Sequence, residues 1–410
     1  MDELRLYTST NPAEQVKEQN TFTDSIKKSS AKKTSNQPKL RFAGFSKDWN
    51  KTKLGDLVSI TTGKVNLDEA DENGKYNFYT CGIKVLKTNS YAFEGPAITI
   101  AGNGSIGFMQ LVDGKFNAYQ RTYVLQNFKA DRSFIFNVIK KPLDKKIKME
   151  SRGGVIPYIV LDMLTDLHFH LPEEIEQQKI GNFFKDLDKL IQMSKVLKEN
   201  YSILKEYLLR QLIPSTRNPI PRLRFASFDS PWDVITFEKI GSVKSCKRVL
   251  IEQTTPEGDI PFYKIGTFGG QADAYITREL FETYKSKYPY PKKGDVMMSA
   301  IGTIGKSIVY NGEEAYYKDS NIIWLTNDKG IDSKFLQILL SIVNWGAEGS
   351  TLRKISSKDI LNMLTVLPSK EEQIKVSNLI TDVENHIKEL SSKISSLERF
   401  KQALLQRMFV

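Results

Sequence analysis

The chain carries one set of motifs twice, and that duplication limits its folds more than any other feature. Pro38-Lys39-Leu40-Arg41-Phe42-Ala43-Gly44-Phe45 returns as Pro221-Arg222-Leu223-Arg224-Phe225-Ala226-Ser227-Phe228, with Trp49 and Trp232 following in register. The closing motifs repeat too. Leu171-Pro172, Glu176-Gln177, Lys179-Ile180 and Asn182 reappear as Leu367-Pro368, Glu372-Gln373, Lys375-Val376 and Asn378. A shared start and a shared end around divergent middles describe two copies of one module, each with its own variable part. So long a period excludes solenoids and propellers, whose repeats run to roughly 20–50 residues.

Residues 1–37 are polar, rich in Ser, Thr, Lys, Asn and Gln, and read as an arm. Residues 38–172 alternate dense turn signals (Thr62-Gly63, Asn73-Gly74, Gly102-Asn103-Gly104, Asp113-Gly114) with short runs such as Ala97-Ile98-Thr99-Ile100 and Thr122-Tyr123-Val124-Leu125. That is strand-and-turn chemistry, with one short helix expected near 133–139. Residues 214–370 read alike, with a matching helix near 334–343. The remaining stretches, 173–213 and 371–410, are long helices of about 40 residues, or roughly 60 Å. The first carries a 3.5-residue line through Phe183, Leu187, Leu190, Ser194, Leu197, Tyr201, Leu204 and Leu208. The second carries Val383, Ile387, Leu390, Ile394, Leu397, Leu404 and Met408, interrupted at Lys401. Each seam needs a partner. The reading is an antiparallel two-helix coiled coil within the chain; docking on the helix's own module or on another protein is the competing arrangement. The expected fold is α+β: two pseudo-symmetric mixed α/β domains separated by that coiled coil.

The net charge of +11 is concentrated in 38–172 and 214–370, whereas both helical stretches are balanced. A basic excess confined to the variable pieces suits a polyanion, because lysine and arginine gain by displacing counterions from phosphate. The excess is modest and also suits plain solubility. No apolar run reaches a membrane-spanning length and the start does not resemble a secretory signal, so the expected location is the cytoplasm. Cys81 and Cys246 are too few for a disulfide framework or a zinc site.

Catalytic signatures are missing. Asn11-Pro12-Ala13 and Asn218-Pro219-Ile220 lack the second proline and the aromatic of an adenine methyltransferase motif. Ala300-Ile301-Gly302-Thr303-Ile304-Gly305-Lys306-Ser307 imitates a phosphate-binding loop, but such a loop must open a helix, and the strand-like Ile308-Val309-Tyr310 follows. His168 and His170 share one face of a strand with no further ligand to complete a metal site. His386 falls at the edge of the second helical seam.

The repeated Pro-x-Leu-Arg-Phe start and the repeated Leu-Pro before Glu-Gln and a long helix together carry a resemblance. It is strongest over Gly349-Ser350-Thr351-Leu352-Arg353-Lys354-Ile355, Leu367-Pro368 and Glu371-Glu372-Gln373. The chain resembles the specificity subunit of type I restriction–modification enzymes over essentially all of 38–410. The first copy departs at Gly153-Gly154-Val155-Ile156-Pro157, which lacks the Ser-Thr and Arg-Lys pairs. The resemblance implies two target-recognition domains, each reading half of a split sequence in double-stranded DNA. It also implies docking of two modification (methyltransferase) subunits on the helices, joined by ATP-dependent restriction subunits. S-adenosylmethionine, ATP and Mg would sit on those partners, with no cofactor or metal on this chain, which is not an enzyme by itself. The competing function is a scaffold that bridges protein partners without touching DNA.

Base readout calls for short polar side chains and forked donors on exposed loops. The candidates are Asn103, Ser105, Tyr119, Gln120, Arg121 and Arg152 in the first module. In the second they are Thr303, Lys306, Lys318, Ser320, Asn321, Arg353 and Lys354, with Lys247, Arg248 and Lys264 as weaker choices. Lys140-Lys141 and Lys145-Lys146 read as a solvated helix end or a phosphate grip.

Overall fold

A computed structural model describes residues 26–27, 36–150, 158–302, 304–319, 321–343, 345 and 355–410. The candidates Arg152, Thr303, Ser320, Arg353 and Lys354 lie outside them, as do nearly all of the arm and most of the Gly349–Ile355 match. The chain divides into two compact units: residues 1–195 with 392–410, and residues 196–391.

In chain order the first unit contains β1 (Asn50–Lys53), β2 (Ser59–Thr62), β3 (Tyr76–Tyr79), β4 (Leu86–Thr88), β5 (Phe93–Glu94), β6 (Ala97–Ala101), β7 (Met109–Val112), β8 (Lys115–Ala118), β9 (Thr122–Gln126) and β10 (His168–Leu171). Its helices include α1 (Arg132–Val138), α2 (Lys140–Glu150) and the first part of α3 (Glu174–Leu212). One four-stranded sheet runs β2-β9-β6-β7, a second runs β4-β3-β8-β5, and β10 pairs with β1. The second sheet contains a parallel pair, β3 with β8. Strand β6 is buried along its whole length, as its unbroken Ala-Ile-Thr-Ile-Ala run requires of a strand covered on both faces.

The second unit repeats this plan. Its elements are the rest of α3, then β11 (Asp233–Thr236), β12 (Val243–Ser245), β13 (Ile260–Tyr263), β14 (Tyr275–Ile276), α4 (Arg278–Lys287), β15 (Val296–Ser299), β16 (Ser307–Val309), β17 (Tyr316–Tyr317), β18 (Ile322–Leu325), α5 (Ser333–Ile342), β19 (Leu364–Leu367) and the first part of α6 (Lys370–Arg407). The sheets run β12-β18-β15-β16, β14-β13-β17 and β11-β19, with β13 and β17 again parallel. The main insertion is α4, which helps bury a tyrosine-rich core around Phe281, Tyr316 and Tyr317.

The repeated motifs form a clamp at the start of each long helix. Arg41 donates through Nε and Nη2 to both oxygens of Glu176, at 2.7 Å each, and also to Lys47 O at 2.8 Å. Arg224 repeats this on Glu372, at 2.8 and 2.9 Å, and on Ser230 O. Gln177 Nε2 donates to Pro172 O while its Oε1 accepts from Asp131 N; Gln373 does the same with Pro368 O and Asp332 N. Asp131 and Asp332 then cap α1 and α5 through Phe134 N and Phe335 N. Lys179 lies over Phe42 and Phe45, and Lys375 over Phe225 and Phe228. Gly181 is required where α3 meets α1, since a Cβ there would lie 2.2 Å from Asp131 Oδ1.

Within each unit the long helices run antiparallel. In the first, Asp188 pairs with Lys401, and Lys195 with Glu398. In the second, Tyr201 stacks beside His386 at 5.2 Å, and Lys205 pairs with Glu384 at 2.6 Å. On α6 the expected residues Val383, Ile394 and Leu404 are buried, with Ile387, Leu390 and Leu397 half-buried. Lys401 interrupts the seam to reach Asp188. On α3 the packing line differs from the expected one. Leu187 and Leu208 are buried and Phe183 and Tyr201 half-buried, but Leu190, Leu197 and Leu204 are 40%, 46% and 38% exposed. The expected Ser194 is buried as well, but the buried line otherwise runs through Ile180, Phe184 and Ile191 in the first unit, and Leu212 in the second. Two apolar lines of identical period overlap on this helix at Leu187 and Ser194, and periodicity does not choose between them.

Candidate nucleic-acid interface

In the first unit four loops meet at one end of the sheets. The β6–β7 loop is held by Gly102 N donating to Arg121 O (2.9 Å) and Ser105 N donating to Cys81 O (2.9 Å). Tyr119 N donates to Tyr79 O (2.9 Å), and Gln120 N to Val65 O (3.1 Å). Asn103, Ser105, Tyr119, Gln120 and Arg121 therefore come together. Gln120 and Arg121 are exposed, and the Arg121 side chain has no polar partner among the described residues. Gly104 and Gly107 sit at φ +58° and +75°, which fixes the tight turn. The sequence candidates missed Lys64 and Lys84, exposed on the two other loops of this cluster. For Lys64 the signal was the turn dipeptide Thr62-Gly63, which marks a turn without saying what that turn meets; Lys84 had none.

The second unit builds the same end. Ala300 N donates to Asn321 O (2.9 Å), Ser299 N to Lys306 O (3.0 Å), and Lys318 N to Tyr263 O (2.9 Å). Gly302 and Gly305 take φ +72° and +85°, matching Gly104 and Gly107. Lys318 and Asn321 lie on this end, Lys318 exposed. Lys306 turns back to donate to Phe268 O at 2.5 Å, so its ammonium ties two loops. Lys264 is paired with Asp273, and Lys247 lies over the Tyr288 ring. Arg248 is exposed. The loop resembling a phosphate-binding motif leads into β16, a strand, and so has no helix N-terminus to offer.

Chemistry elsewhere is quiet. Burial pushes the Cys246 thiol up to about 12 and raises Tyr290, Tyr316 and Tyr317 as well. Both cysteines are free and buried. Burial, then Lys51, lowers the His170 pKa. His386 lies 3.6 Å from Glu389. Among the described residues no cluster of His, Cys, Asp or Glu could hold a metal, and no helix is long and apolar enough to cross a membrane.

Comparison with known proteins agrees with the duplication. Residues 46–200 and 229–399 each match the family described as the type I restriction modification DNA specificity domain. A putative type I restriction enzyme specificity subunit of Haemophilus influenzae is 42% identical over 165 residues, covering 40% of this chain and 43% of that protein. The type I restriction enzyme EcoDI specificity subunit of Escherichia coli is 26% identical over 398 residues, 88% of each chain. The crystal structure of the type I restriction-modification system S subunit from M. genitalium shares the fold, with TM-score 0.66 and 19% identity over 91% of this chain and 99% of that one. With the specificity domain matched twice over most of its length, the chain belongs to the type I restriction modification DNA specificity family.

Proposed function

We propose that this chain is the DNA sequence-specificity subunit of a type I restriction–modification complex, reading a bipartite target with one half-site per module. The observation that carries this is the pair of matching loop ends: corresponding backbone ties (Gly102 N to Arg121 O and Ala101 N to Phe108 O; Ala300 N to Asn321 O and Ser299 N to Lys306 O) around loops whose side chains differ. Such ends provide the same frame with different donors. In the first, Gln120 and Arg121 offer forked groups to base edges, while in the second Lys318 offers an ammonium and Asn321 a forked amide. The module boundaries, 38–172 and 214–370, and the assignment of these residues to DNA contact belong to this proposal. So does an antiparallel coiled coil of α3 and α6 holding the modules apart. Linking two weak half-site readers at a fixed separation multiplies their affinities.

The exposed apolar flank of α3, with Leu190, Met193, Leu197, Ile203 and Leu204, suits the modification subunits. These would bring S-adenosylmethionine and transfer the methyl group, and restriction subunits would use ATP and Mg; this chain contributes recognition. Methylome sequencing of a host expressing the chain with its modification subunit tests the reading. The expected result is one split motif with methyladenine in both halves. Methylation without sequence preference would reject it.

A further inference from the structure

Away from the loop ends, α2 and the last turns of α6 enclose a cleft of about 750 Å³ in the first unit. Lys140, Lys141, Lys145, Lys148 and Lys401 line it, with Asp144 the only carboxylate among its lining residues. A smaller hollow of about 280 Å³ shares Lys141 and Lys145 and adds Lys51, His168 and His170. Lys140 lies 4.2 Å over the Phe136 ring, and burial, then Lys401, pulls its pKa down to about 8. Lys401 is itself paired with Asp188. Concentrated cations without matching anions cost stability, so the cluster calls for a negatively charged ligand.

Two observations say which ligand. Helix α2 lies against the β6–β7 loop, since a Cβ on Gly107 would sit 2.8 Å from Ile147 Cδ1. Helix α2 thus joins the loop that carries Asn103 and Ser105, which faces Ile147 and Asp144, to the cleft that its lysines line. The second module has no such run: between α5 and Ile355 its only cations are Arg353 and Lys354, against five lysines from Lys140 to Lys148. A feature needed for the shared fold would appear twice.

We propose that this lysine-lined cleft grips the phosphodiester backbone of DNA flanking the half-site read by the first module. The proposal rests on the DNA-reading function above and adds an asymmetry to it: the first module anchors the duplex electrostatically, beyond its base contacts.

The test uses the full chain assembled with its modification subunit and a duplex carrying the motif found by methylome sequencing. Affinity is measured across a salt series for the parent and for Lys141→Gln/Lys145→Gln/Lys148→Gln. Each lost phosphate contact should reduce the slope of log K against log salt by about 0.9, so a reduction of about 2–3 is expected, with the methylated sequence unchanged. Uncharged methylphosphonates beside the first half-site should weaken the parent similarly and the variant little further. An unchanged slope overturns the proposal. A variant that joins the modification subunit more weakly, yet keeps the parent slope in the assembled fraction, also overturns it and assigns the cleft to an acidic protein surface. If the triple variant does not fold, the three single substitutions, each expected to lower the slope by about 0.9, decide the matter. A parent complex without sequence preference sinks the DNA reading itself, which is a separate outcome.

Discussion

The two clamps share a design and differ in how their charges are satisfied. Arg41 and Glu176 are 7% and 0% exposed; among the described residues, Arg41 Nη1 and Trp49 Nε1 lack hydrogen-bond partners. In the second module Arg224 is 13% exposed, and Trp232 Nε1 donates to Glu372 at 3.1 Å. One clamp is drier and leaves the tryptophan donor unpaired, while in the other the arginine is a little more exposed and the tryptophan is engaged. Identical motifs thus give unequal dependence on the same ion pair, because the cost of an unpaired charge rises with its burial.

The sharpest way to break that comparison is to remove each carboxylate. Glu176→Ala should cost the first unit about 3–5 kcal/mol, since a buried guanidinium is left alone. Glu372→Ala should cost less, because Arg224 can take up water. Hydrogen exchange of the α1 and α5 amides reads the two units separately, and equal losses would refute the contrast. At the reading ends, Arg121→Ala should lower discrimination at one base of one half-site by about 1–3 kcal/mol and leave the other half intact, as scored by methylome motif. Relaxation in both halves would contradict separate readers.

A finer comparison uses the tryptophans. Trp232→Phe removes a hydrogen bond to a buried carboxylate and should destabilise by about 1–2 kcal/mol more than Trp49→Phe, whose indole N–H is unpartnered. Denaturant unfolding of the two variants checks this. A pH effect concerns Lys140. Its folded pKa of about 8 lies below the ordinary lysine value of 10.5, so the unfolded chain binds more protons between those values. Stability should therefore rise with pH across that window. In Lys140→Met that rise should disappear, as measured by thermal midpoints between pH 7 and 11.

The repeated residues were the legible part of the site's frame. Arg41, Glu176, Gln177 and Lys179 recur because each makes a contact that the module cannot omit, and such contacts leave a trace in the sequence. The loops were legible only as turns. Thr62-Gly63 gave no hint that Lys64 adjoins Gln120 and Arg121, and nothing marked Lys84, because the backbone ties joining them connect residues distant in sequence. Lys306, a plausible DNA contact by its loop, is drawn to Phe268 O instead.

By itself the sequence determined that there are two modules, that each closes on a long helix, and that α6 packs along Val383, Ile394 and Leu404. Duplication and heptad spacing are local, repeating signals, readable without knowing what lies opposite. Tertiary structure alone decided which of two overlapping apolar lines on α3 is buried, and that the lysines of α2 face a cleft against the end of α6. Both depend on the surface a residue meets across the fold, which spacing along the chain does not encode.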